Sequence, residues 1–234
     1  MMTEHKGNGM TLPEGLSLET DENGLFLSSE EGLLLRADFA HLKPRLKHHN
    51  LSGELVVKAS RIKGREDLHV LDATAGLGED SFLLAAAGFI VDLYEYDPVI
   101  AALLKDAVRR ALMSGDEILR ETAMRMNVYE EDSIAAMRKL SSRTDVILLD
   151  PMFPERKKTG LIKKKFQLLQ QLERPCEDEE ALLEAACSAG PDRVVVKRPQ
   201  KGPYLANRKP DYSLPGKTIR YDVYLLNKRQ KDGT

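Results

Sequence analysis

The chain has little that would tie it to an oxidising compartment, a membrane or a bulk polyanion. Its 234 residues include two cysteines, Cys176 and Cys187, both in one acidic stretch. Their spacing fits neither a metal ligand set nor a redox pair, so reduced thiols of a cytosolic protein are expected. No apolar run approaches the ~18 residues of a spanning helix, and Met1–Met10 lacks the apolar centre of a secretory leader. A cytoplasmic protein is the expectation. Charge of one sign is also lacking: 35 basic residues face 37 acidic ones, a net charge of −2. Generic attraction to nucleic acid is thereby excluded, and any such surface must come from local clustering. Repeats and low-complexity segments do not occur. No His-bearing spacing supports a metal site, and none is expected.

What is present is enough apolar material, 42% of residues, for a substantial core. The punctuation of the sequence divides it in two. Residues 1–65 read as an N-terminal extension. Short apolar runs alternate there with Asp21-Glu-Asn-Gly24 and Glu30-Glu-Gly32, which predicts a small β-meander over 15–38. One or two basic helices follow over 39–65. Residues 66–234 read as a second unit in which strands and helices alternate through short loops. Strands are predicted at 68–72, 89–94, 126–129, 145–149, 193–197 and 217–226, and helices at 79–87, 98–113, 116–125 and 133–140. This alternation is the signature of an α/β, doubly wound, mostly parallel sheet. The last strand alternates polar and apolar residues, as an antiparallel edge strand does.

Two strand ends carry chemistry. Asp72-Ala-Thr-Ala-Gly76-Leu-Gly78 leaves the first strand of the second unit, where open α/β sheets bind ligands. Gly76 and Gly78 let the backbone turn sharply and approach a ligand. Glu95 ends the next strand, where a carboxylate accepts hydrogen bonds from ribose hydroxyls. Asp132 and Ser133, after the third strand, are placed to meet an adenine edge. The fragment Gly76-Leu-Gly78-Glu-Asp-Ser81 departs from G-x-G-x-x-G only at its third glycine, which keeps a nicotinamide-dinucleotide oxidoreductase open as an alternative. Glu79 and Asp80, however, occupy the first helical turn, where a pyrophosphate would want positive potential. S-adenosylmethionine has no phosphate and carries a sulfonium cation, so it suits these carboxylates better.

The second strand end is Asp150-Pro151-Met152-Phe153-Pro154. An exocyclic amine on a nucleobase is a poor nucleophile because its lone pair is delocalised into the ring. Hydrogen bonds from that amine to the Asp150 carboxylate and a loop carbonyl would free the lone pair. Pro151 and Pro154 fix the loop, and Phe153 can stack on an unstacked base. Asp150, Pro151 and Phe153 are therefore the candidate catalytic residues, and Asp150 also borders the cofactor. Basic residues follow directly: Arg156, Lys157, Lys158, Lys163, Lys164 and Lys165, opposed only by Glu155. Lys197, Arg198 and Lys201 end a later strand, and residues 36–65 add a third basic cluster. Three clusters around one loop predict phosphate contacts.

Four blocks carry a closer likeness: Asp72-Ala-Thr-Ala-Gly-Leu-Gly78, Pro98-Val-Ile-Ala-Ala-Leu-Leu104, Leu149-Asp-Pro-Met-Phe-Pro154 and Val194-Val-Val-Lys-Arg-Pro199. In order and content they resemble the RsmJ family, bacterial S-adenosylmethionine-dependent methyltransferases that modify a guanine N2 in small-subunit (16S) ribosomal RNA. Arg45-Leu-Lys-His-His-Asn50 with Val57-Lys58-Ala59 is similar to the N-terminal part of that family. The likeness spans roughly residues 36–226. It implies a class I, Rossmann-like methyltransferase fold and cofactor contacts at Glu79, Asp80, Glu95, Tyr96, Asp132, Ser133 and Asp150. The family often carries Arg at the positions of Glu79 and Tyr96. The implied partner is small-subunit rRNA or the assembled small subunit, and no membrane. Oligomeric state stays open, with a monomer the simpler expectation. A methyltransferase-like RNA-binding protein without activity is the remaining alternative.

Overall fold

The computed structural model describes residues 3–4, 11–140, 144–152, 168, 172 and 178–226. Two short strands, β1 (Thr3–Glu4) and β2 (Thr11–Leu12), pair antiparallel. The expected meander follows as β3 (Leu16–Asp21), β4 (Gly24–Ser29) and β5 (Leu34–Leu35). Three short helices cover the basic stretch: α1 (Lys43–Leu46), α2 (His48–Leu51) and α3 (Leu55–Ser60).

From there β6 (His69–Asp72), α4 (Glu79–Ala86), β7 (Ile90–Glu95), α5 (Pro98–Leu112), α6 (Glu117–Ala123), β8 (Met126–Glu130), α7 (Ser133–Arg138) and β9 (Val146–Leu149) alternate. The chain continues through α8 (Glu179–Ser188), β10 (Arg193–Pro199), β11 (Tyr212–Pro215) and β12 (Ile219–Leu225). The seven-stranded sheet runs β11-β12-β10-β9-β6-β7-β8. Strands β10, β9, β6, β7 and β8 run parallel to one another, while β12 is antiparallel to both β10 and β11.

The antiparallel edge is therefore two strands deep. The expected edge strand, β12, lies one place inside, and its middle is buried despite its polar residues. Arg220 and Asp222 make this possible by pairing with each other at 2.9 Å, two residues apart on one face of the pleat. The outermost strand, β11, ends in Pro215, a residue tolerated at a sheet edge because no ladder donor is needed there.

Strand order reverses between β6 and β9, and there the crevice at their carboxyl ends opens. The helices deliver each strand end to that crevice. Asp97 caps α5, accepting from the Val99 and Ile100 N–H groups at 2.9 and 3.0 Å, with Pro98 at the first helical position where it removes no needed donor. Buried side chains of α3, α4, α5 and α6 share one core with β6, β7 and the meander. Those of α7 and α8 form a second core on the opposite face of the sheet. The N-terminal segment is stitched to the first core. Phe39 stacks on Phe82 with ring centroids 4.2 Å apart, and the Leu25 N–H donates to Asp106 at 3.0 Å. Among the described residues no helix is long and apolar enough to cross a membrane.

Candidate active site

The crevice is built from two loops. The first leaves β6 at Asp72 and turns through Gly76 and Gly78, which hold positive φ of 52° and 76°. These are left-handed conformations that glycine adopts without a Cβ penalty. At Gly78 a Cβ would also meet Leu104 Cδ1 at 2.6 Å. Glu95, at the end of β7, accepts from the Gly76 N–H at 2.9 Å and from the Asp97 N–H at 2.8 Å. One carboxylate thus fixes both the glycine turn and the entry to α5. A carboxylate offers about four acceptor positions, so capacity remains for a further donor. Burial pushes the Glu95 carboxyl up, and backbone N–H donors, those of Asp97 and Gly76 foremost, pull it partly back.

Asp72 faces inward rather than into the crevice and is only 3% exposed. It accepts from Ser81 Oγ at 2.5 Å and from the Thr74 N–H at 3.1 Å, tying the start of the loop to α4. Burial pushes its pKa up to about 7, and the neighbouring Asp80 and Asp150 charges add to the rise against those two donors.

The second loop starts at Asp150, directly after β9. Its N–H donates to Thr74 Oγ1 at 2.6 Å, so the two loops are hydrogen-bonded to each other. The Asp150 carboxylate lies 2.8 Å from Lys197 Nζ, which also lies 3.0 Å from Asp80. Asp80 in turn accepts from the Tyr221 hydroxyl at 2.8 Å. Strand register explains this cluster. Val196 pairs with Leu149 and Lys197 with Tyr221, so Lys197 emerges beside Asp150 on the face that α4 covers. Burial works against the Lys197 ammonium, but the Asp80 and Asp150 carboxylates outweigh it and raise its pKa above that of an ordinary lysine. Burial also pushes the Asp150 carboxyl up; Lys197 counters this and Asp80 reinforces it. The Asp150 side chain keeps 42% of its surface exposed, so it remains open to a partner from the crevice.

The outcome differs among the other expected residues. Glu79 and Asp80 do occupy the first turn of α4. Glu79 is exposed and lies 3.3 Å from His41, whereas Asp80 belongs to the Lys197 cluster. Tyr96 is exposed beside Glu95. Asp132 caps α7 through the Ile134 N–H at 2.9 Å, with Ser133 buried behind it. Pro151 is buried next to Asp150. Phe153, Arg156, Lys157, Lys158, Lys163 and Lys164 lie outside the described residues.

Two expected RNA contacts are corrected. Lys197 is held between Asp80 and Asp150 inside the crevice, so it serves carboxylates rather than a phosphate. Arg198 is 1% exposed. Its guanidinium donates to the Pro203 carbonyl at 2.9 Å and to Glu179 at 3.4 Å, which leaves it no route to an RNA backbone. Adjacent residues of a strand point to opposite faces, so Lys197-Arg198 is not one basic cluster. Much of the N-terminal basic stretch is likewise committed. Arg36 pairs with Asp21 at 2.6 Å and Arg45 with Glu54 at 2.7 Å, and Arg65 bridges Asp145 and Asp192. Sequence reasoning missed Thr74 and Tyr221. Thr74 sits inside the glycine turn, but Tyr221 comes from β12, and only strand register brings it to Asp80.

The donor set fits S-adenosylmethionine. Asp80, Glu95 and Asp150 outnumber the one ammonium of Lys197, which leaves an acidic crevice for a ligand bearing sulfonium and ammonium charges. A pyrophosphate would meet Glu79 and Asp80 instead.

Residues 10–226 match a family model described as "Putative SAM-dependent methyltransferase". The chain is 44% identical over 197 residues to the ribosomal RNA small subunit methyltransferase J of Pseudoalteromonas atlantica, covering 81% of this chain and 76% of that protein. It is 37% identical to the protein of the same name from Alteromonas mediterranea, covering 95% and 90%. Among solved structures, a SAM-dependent methyltransferase from Neisseria gonorrhoeae superposes with a TM-score of 0.74 at 34% identity, covering 94% of this chain and 87% of that one. An rRNA methyltransferase from Streptomyces viridochromogenes, at 18% identity and a TM-score of 0.51, covers 76% and 84% and shares the fold.

Proposed function

The chain belongs to the SAM-dependent methyltransferase family, and from that premise we propose that it methylates the exocyclic N2 amine of a guanine in small-subunit ribosomal RNA. The observation that carries the reading is the pairing of Asp150 with the glycine loop. A half-exposed carboxylate stands at the topological switch, and the backbone N–H of the same residue donates to Thr74 Oγ1 of that loop. The names of the relatives supply the RNA: each is a ribosomal RNA small subunit methyltransferase J.

S-adenosylmethionine, when bound, supplies the methyl group. Glu95 is assigned its ribose hydroxyls, Asp132 and Ser133 its adenine edge, and the loop from Asp72 to Gly78 its methionine end. Asp150 accepts a hydrogen bond from the guanine amine, drawing the nitrogen toward tetrahedral geometry and directing its lone pair. Positioning then accounts for most of the rate. No strong base is needed, because the ammonium formed on nitrogen is acidic enough to lose its proton readily. Lys197 favours the ionised form of Asp150 and aims it: its ammonium opposes protonation of the carboxylate and limits its rotation. Pro151 fixes the loop and Phe153 stacks on the base. Arg156, Lys157, Lys158, Lys163 and Lys164 contact phosphates. The substrate implies residence in the cytoplasm, where small subunits are assembled.

The test is nucleoside analysis. Unmethylated small subunits and naked rRNA are each incubated with labelled cofactor, digested and separated. Label in N2-methylguanosine supports the proposal. Label in another nucleoside, or in none, overturns it.

A further inference from the structure

Two strands away from Asp150, at the same carboxyl edge of the sheet, lies an open cleft of about 450 Å³, within the range of small-ligand pockets. Gln200, Lys201, Tyr204, Ser213, Pro215 and Arg220 line it. Its floor is rigid. Arg220 donates to the carbonyls of Pro199, Gln200 and Gly202 at 2.8, 3.0 and 3.0 Å. Its Nε is held by Asp222 at 2.9 Å. Arg220, with the Arg198 guanidinium on the Pro203 carbonyl at 2.9 Å, therefore fixes the loop that follows β10.

Three features of this cleft point to a ligand. Tyr204 is 36% exposed, with the Arg220 guanidinium 5.0 Å from its ring centroid. The ring is thus backed by a cation and still accessible to a second planar partner. Gln200 Oε1 is buried without a hydrogen-bond partner among the described residues, an acceptor whose desolvation is uncompensated until an N–H reaches it. Lys201 lines the same cleft, together with the Arg220 guanidinium. A stacking ring, an unmet acceptor and a lysine together match a nucleobase with its phosphate.

We propose that this cleft takes an unstacked base of the substrate RNA, close to the target guanine. The base stacks on Tyr204 and donates an N–H to Gln200 while Lys201 meets its backbone. The inference rests on the RNA methyltransferase reading above, and it gives that reading a second point of attachment that fixes the RNA relative to Asp150.

The test separates the two. Initial rates with unmethylated small subunits are measured for the wild type, Tyr204→Ala, Tyr204→Phe and Gln200→Met, beside cofactor affinity by calorimetry. Tyr204→Ala is expected to raise KM for the RNA substrate roughly 5- to 100-fold, the range of one base stack, with cofactor affinity unchanged. Tyr204→Phe keeps the ring and restores KM. Gln200→Met raises KM about 3- to 10-fold, the range of one hydrogen bond. Wild-type KM in Tyr204→Ala, with methylation intact, overturns the cleft and leaves the methyltransferase reading standing. Absence of methylation by the wild type overturns that reading instead. Should Tyr204→Ala fail to fold, ultraviolet crosslinking of wild-type protein to the small-subunit rRNA decides: adducts within residues 200–217 support the cleft, and adducts confined elsewhere overturn it.

Discussion

Lys197 and Asp150 stand side by side at the ends of neighbouring parallel strands, with Nζ 2.8 Å from the carboxylate. Asp80, 3.0 Å from the same ammonium, joins them to the helix that follows the glycine loop. The cluster couples the cofactor side of the crevice to its reaction side through one cation.

If Lys197 favours the ionised form of Asp150, its removal has a directional signature. Lys197→Met should lower kcat about 10- to 100-fold near neutral pH. The acidic limb of the kcat profile should also move to higher pH, because the charge opposing Asp150 protonation is gone. Lys197→Arg retains a cation and should recover part of both effects. A uniform loss of rate with an unmoved limb would reduce Lys197 to a structural role.

Asp72 makes a stability prediction. Its folded pKa of about 7 lies above the ~3.9 of an unperturbed Asp. The fold therefore favours the protonated form. That contribution is complete below ~pH 4 and is lost as pH rises through 7. Asp72→Asn cannot ionise, so thermal unfolding should show the variant gaining on the wild type between pH 5 and pH 8. The gain is on the order of 3 kcal/mol at most. A pH-independent difference would contradict this account of Asp72.

Gly78 combines a φ of 76° with a Cβ position 2.6 Å from Leu104 Cδ1. Gly78→Ala should cost about 1–3 kcal/mol in urea unfolding and weaken cofactor affinity, because the turn must distort. Unchanged stability would show that the turn relaxes freely.

Arg198 separates burial from RNA binding. Arg198→Met should lower the unfolding midpoint, since Glu179 and the Pro203 carbonyl lose their donor. KM for RNA, measured on the folded fraction, should rise no further than in Tyr204→Ala, because Arg198 reaches the RNA site only through the Pro203 carbonyl of the Tyr204 loop. A raised KM with unaltered stability would return Arg198 to the RNA surface.

Much of this was legible in the chain. The runs ending at Asp72 and Asp150 are short, apolar and closed by turn residues, so both strand ends and their meeting at the switch follow from local pattern. So does Glu95, whose strand is equally plain. The glycine turn announced its own conformation. Other features depend on pairing that sequence does not print. Strand β11 is four residues long and closes on Pro215, too little for a periodic signal. Arg220 and Asp222 look like solvent residues until their mutual ion pair is seen. Lys197 and Arg198 read as one cluster because charge was counted along the chain, whereas the pleat sends them to opposite faces. Tyr221 reaches Asp80 only through β12 register, across 141 positions.

The most direct test of the central claim is a paired measurement on Asp150→Ala: cofactor binding by calorimetry and single-turnover methyl transfer to unmethylated small subunits. The account predicts cofactor binding close to wild type and transfer reduced by at least about 1,000-fold. Near-normal transfer in that variant would contradict the role of Asp150 and the mechanism built on it.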